Sequence, residues 1–97
     1  MSDIGGEPMS DPGAPEVSSD RAHQVLDYLA RQLVDTPERV TIDADPARNG
    51  VKLSLRVASE DMGKVIGRRG RVAQSIRTVV RAAGAAEGVD VLVDIVD

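Results

Sequence analysis

MGKVIGRRGRVAQSIRTVVRAAG, residues 62–84, holds two helical patterns joined by a glycine-bounded loop. Met62, Val65 and Ile66 give one apolar face and predict a very short helix. Gly67 and Gly70 break that pattern. From about Arg71 a longer helix resumes, with Val72, Ala73, Ile76, Val79, Val80 and Ala83 facing inward and Gln74, Arg77, Thr78 and Arg81 outward. Gly84 is its natural C-terminal cap. From Met62 to Ala86 there is no Asp or Glu, although the chain carries 16 of them against 12 Lys and Arg, and six of those twelve fall here: Lys64, Arg68, Arg69, Arg71, Arg77 and Arg81. An acidic protein that gathers its arginines around a glycine loop has a local anion-binding face.

Working outward, Val51, Leu53, Leu55 and Val57 alternate with Lys52, Ser54 and Arg56, which predicts a half-buried strand leading into the first helix. Ser59 can cap that helix, with Glu60 and Asp61 in its first turn where the dipole favours acids. Upstream, Glu38 to Asp43 alternates through Val40 and Ile42 as a shorter strand. Asp45 to Gly50 reads as a turn-rich connection longer than a two-residue hairpin, pairing the two strands antiparallel. Ala22, Val25, Leu26, Leu29, Ala30, Leu33 and Val34 recur at helical spacing, capped by Ser18 or Ser19, opened by Asp20 and ended at Asp35-Thr36-Pro37. His23, the lone histidine, lies off this stripe and reads as a surface residue. Downstream, Val89 to Val96 is a β-branched strand with Val91, Val93 and Ile95 on its core face. Residues 1–17, rich in Gly, Pro, Ser and acid with no basic residue, read as a disordered tail preceding a single domain over 18–97.

The predicted order is α-β-β-α-α-β. A strand that reaches the last strand through two helices makes a right-handed crossover, so those two strands run parallel. The fold class is α+β, a three-stranded mixed sheet with three helices packed on one face.

Composition removes several functions. The 97 residues contain no Cys, Trp or Phe and a single Tyr, Tyr28. Disulfides and thiolate metal sites are excluded, and aromatic platforms for stacking bases are not available. One His and no Cys leave the usual nucleophile–base and metal-ligand sets without members, and neither a P-loop nor a dinucleotide fingerprint occurs. The chain reads as a non-enzyme without cofactor or metal. No apolar run approaches the ~20 residues of a membrane span, which predicts a soluble, intracellular protein.

The loop itself suits phosphate. Gly67 and Gly70 can take positive φ, Gly70 leads into a helix N-terminus, and Arg68 and Arg69 sit at the tip where guanidinium groups meet phosphate oxygens. Val65, Ile66, Val72, Ile76, Leu55 and Val57 are candidates to line an aliphatic groove beside it. The competing reading is a tight turn whose arginines serve solubility, in a protein-interaction or dimerisation module with little RNA binding of its own.

Val65-Ile66-Gly67-Arg68-Arg69-Gly70 resembles the V/I-I-G-x-x-G signature of KH domains, and a helix and strand ahead of the core resembles the type II arrangement. The run GKVIGRRGRVAQSIRTVVRAA is similar to the small stand-alone bacterial KH proteins of the KhpA type. The resemblance covers about residues 19–97. It implies that Gly67, Arg68, Arg69 and Gly70 clamp about four nucleotides of single-stranded RNA, with Ile66 lining the groove. The resemblance assigns no fixed role to Lys64, Arg71, Arg77 or Arg81; of these Arg71, next to the loop, is the one expected to touch phosphate, Lys64 is a further basic candidate, and Arg77 and Arg81 are candidates to face a partner instead. It also implies an RNA chaperone or post-transcriptional regulator, a larger KH-containing partner of the KhpB/Jag type or a homodimer, and influence on cell shape and cell wall growth. A grip of four or so nucleotides gains useful affinity from such pairing.

Overall fold

The computed structural model describes residues 20–96, so the N-terminal tail and the capping serines lie outside the described residues. Helix α1 (Asp20–Leu33) is followed by a single 3-10 turn at Pro37–Arg39, strand β1 (Thr41–Ala47) and strand β2 (Gly50–Arg56). A second 3-10 turn at Ser59–Asp61 leads into helix α2 (Met62–Ile66). The loop turn Arg68–Gly70, helix α3 (Arg71–Ala85) and strand β3 (Asp90–Val96) complete the order.

The sheet order is β1-β2-β3, with β2 antiparallel to β1 and parallel to β3. Leu53 and Leu55 are fully buried and Val91 and Val93 nearly so, because these alternate residues meet the helices. The register places their polar neighbours on the opposite face. Asp43 sits across from Ser54, Asp45 from Lys52, and Asp94 from Ser54. Lys52 Nζ lies 3.8 Å from Asp94 there. Asp43, Asp45 and Asp94 thus share the helix-free face of the sheet.

On the covered face, Ala22, Leu26 and Ala30 of α1 and Ile76 and Val80 of α3 join the strand residues in one core. The two helices run antiparallel. Arg21 reaches Glu87 beyond the end of α3 at 3.4 Å, and Leu29 and Leu33 lie beside Val72 and Ile76 at its start. Among the described residues no helix is long and apolar enough to cross a membrane.

Four local expectations change. Strand β1 starts at Thr41, after the 3-10 turn, and continues through Asp45-Pro46-Ala47, leaving only Arg48 and Asn49 as a two-residue turn. Pro46 is tolerated because β1 is an edge strand and need not donate outward. Neither turn residue has positive φ, so this is not the primed turn that Asn-Gly favours. Gly50 instead answers a close approach: a Cβ there would lie 1.9 Å from the Asp90 carbonyl oxygen.

Gly84 is not the cap of α3. It is buried within the helix, where a Cβ would meet Val91 Cγ2 at 2.3 Å. The helix closes at Gly88 (φ 74°), with Val89 N–H donating to Gly84 O at 2.9 Å and Gly88 N–H to Ala85 O at 3.0 Å, the Schellman pattern. Val79 is 48% exposed, because it lies on the outer margin of the α3 apolar stripe. His23 is half-buried rather than fully solvated.

Candidate nucleic-acid interface

Three consecutive needs shape the loop. Helix α2 is one turn long and closes with Gly67 N–H donating to Gly63 O at 2.9 Å. The chain then reverses. Gly67 has φ 75° and ψ 175°, Arg69 φ 58° and ψ 26°, and Gly70 φ 72° and ψ 13°. Gly67 is doubly constrained, since a Cβ would also meet Val72 Cγ2 at 2.2 Å. A Cβ at Gly70 would meet open space, so its need is the backbone angle alone. Arg69 is the only non-glycine with positive φ among the described residues. Such a conformation costs an L-residue roughly 1–2 kcal/mol, and the sequence gives no sign of it.

Arg68, Arg69 and Arg71 are all exposed, and none makes a hydrogen bond or ion pair among the described residues. All three residues lie at the start of α3, where the helix dipole favours anions, although its first N–H, that of Arg71, donates to the Arg68 carbonyl. Lys64 differs, because its Nζ is held 3.3 Å from Asp35 and so offers less free charge. Ile66 is half-buried against the core at the foot of the loop.

The aliphatic groove is smaller than expected. Val65 and Leu55 are fully buried and Ile76 nearly so, so all three belong to the core; Ile66, Val72 and Val57 keep partial exposure. An apolar depression of about 250 Å³ opens instead between α1 and α3, lined by Leu29, Leu33, Val72 and Val79 among others. Its only signal in the sequence is that both helical stripes are wider than one contact can cover.

Asp61, expected in the first turn of α2, closes the 3-10 turn before it and is fully buried. Its Oδ2 accepts the Thr36 N–H at 3.1 Å, while Oδ1 has no partner. With the Lys64–Asp35 pair, this ties α2 at its start and its middle to the α1–β1 connection and so sets where the loop begins. Asp61→Ala is expected to lower stability by roughly 1–3 kcal/mol, because the Thr36 N–H loses its acceptor. Asp61→Asn keeps that acceptor without a buried charge and should cost less; urea denaturation of both variants checks the order.

Two helices flanking a positive-φ Gly-Arg-Arg-Gly turn, on a sheet with an N-terminal helix and strand added, define a KH domain. The family model for the KH domain of KhpA and KhpB matches residues 23–95. The chain belongs to that family. It is 45% identical over 73 residues to the RNA-binding protein KhpA of Clostridium acetobutylicum, covering 75% of this chain and 97% of that one. It is also 45% identical over 74 residues to the KhpA of Streptomyces coelicolor, covering 76% and 90%. Among solved structures, Era in complex with MgGDPNP and a segment of 16S ribosomal RNA shares the fold at a TM-score of 0.60 and 17% identity. That match takes in 94% of this chain and 35% of the Era chain.

Proposed function

We propose that this chain is a cytoplasmic protein that grips single-stranded RNA with the loop Gly67, Arg68, Arg69 and Gly70, aided by Arg71 and, more weakly, by Lys64 and Ile66. The observation that carries this is the set of three guanidinium groups, unpaired among the described residues, on an exposed turn that opens a helix N-terminus. Its relatives carry the description RNA-binding protein, which fits the same chemistry. The grip works by charge and backbone shape. No residue from Met62 to Gly84 is aromatic, so the loop and its two helices bring no ring of their own to stack a base. The protein would then act as an RNA chaperone or post-transcriptional regulator, paired with a larger KH-containing protein or with itself.

A second reading, a pairing module with little RNA binding, draws on the apolar depression between α1 and α3 and the exposed Val79. Titration of the full chain with single-stranded RNA at rising salt separates the two. The RNA-binding reading expects log K to fall with log salt at about 0.7 per phosphate neutralised. No association at low salt, from protein that is folded, leaves the pairing module standing.

A further inference from the structure

The loop is not the only place where free arginines meet a concave surface. On α3, Gln74, Arg77, Thr78 and Arg81 fall within about 100° of arc, a single stripe continuing from Gly70. That stripe faces the outer edge of the sheet: Arg77 Nε donates to the Val93 carbonyl of β3 at 3.2 Å. One turn further, Arg81 and the β1–β2 turn residues Arg48 and Asn49 line a cavity of about 400 Å³ together with Gly50, Asp90 and Leu92. Both arginines are exposed. Although Asp90 lines the same cavity, neither forms an ion pair or hydrogen bond among the described residues.

We propose that Arg48 and Arg81 form a second phosphate site, for the continuation of the RNA strand that the loop grips; this rests on the RNA-binding reading above. Charge selects the ligand, since the cavity is lined by two guanidinium groups, unpaired among the described residues, against one carboxylate, and a guanidinium pair suits phosphate oxygens. Position selects the source of the phosphate. Arg81 lies ten residues along α3 from Arg71, about 15 Å at the helical rise. A strand leaving a clamp of about four nucleotides along this flank passes Gln74, Arg77 and Thr78 of α3, a helix that carries no acid. The helix-free face of the sheet, with Asp43, Asp45 and Asp94, repels it. The site lengthens the footprint beyond the loop and adds affinity without a second domain.

The test compares RNAs of about five and about twelve nucleotides, the shorter just filling a four-nucleotide clamp, on the full chain and on Arg48→Gln/Arg81→Gln. The double variant is expected to bind the longer RNA about tenfold more weakly, as two exposed charge contacts are lost, and the shorter one within about twofold. Its salt slope for the longer RNA should fall by about 1.4, two phosphates' worth. Arg48→Lys/Arg81→Lys, which keeps the charge, should restore most of the affinity. Unchanged binding of the longer RNA, or an equal loss for both lengths, overturns the second site and leaves the loop reading intact. Wild-type protein that binds neither RNA overturns the loop reading, and this one with it.

Discussion

Arg68→Asp combined with Arg69→Asp leaves the domain folded and abolishes its association with single-stranded RNA. Both side chains are exposed and without partners among the described residues, so ordinary surface behaviour, within ~0.5 kcal/mol per site, is expected for stability. The positive φ of Arg69 favours this further, because Asp enters the left-handed region more readily than Arg. Binding fares differently. Each charge-assisted contact is worth roughly 1.5–3 kcal/mol, so losing two weakens the complex by about a hundredfold or more before repulsion from phosphate is counted. A lysine pair at the same positions keeps the charge and should retain much of the affinity. Thermal melting and fluorescence anisotropy on the same samples check both halves. If the folded double-aspartate protein binds as wild type does, the loop is only a turn.

Ile76→Asp has the opposite profile, with no change at the surface and loss of the fold. Ile76 is 3% exposed, in a core with Leu26, Leu53 and Val80. An aspartate there has no cationic partner and must either bury an unpaired charge or open the contact between α3 and the sheet. Either cost is of the size that removes most of a small domain's stability of roughly 5–15 kcal/mol. Circular dichroism should show a largely unfolded chain at room temperature. Val79→Asp, one turn along and half-exposed, is the matched control and should melt close to wild type.

Much of this could be read from neighbouring residues. The alternation from Val51 to Val57 and from Val91 to Ile95 assigned two strands and their inward faces, since the side-chain period of a strand is a local property. The helical stripes of α1 and α3 were legible for the same reason. The crossover from β2 to β3 followed from chain handedness. The loop was legible because glycines three apart, arginines between them and a helix directly after are contiguous requirements. The exceptions are equally particular. Asp45-Pro46-Ala47 has turn composition and lies in a strand, because composition does not say which strand will be an edge.

The sequence by itself therefore determined the element order, the sheet's polarity and the position of the arginine loop, all set by backbone and periodicity over a few residues. Tertiary structure decided what depends on the residue across the gap. Gly84 is small because Val91 presses on α3, and Gly50 because the Asp90 carbonyl closes on β2. Asp61 is inside because the Thr36 N–H needs an acceptor. Arg48 and Arg81, 33 positions apart in the chain, share a cavity only because β3 brings the end of α3 beside the β1–β2 turn. No local pattern encodes such pairs, since each is fixed by how two distant segments pack.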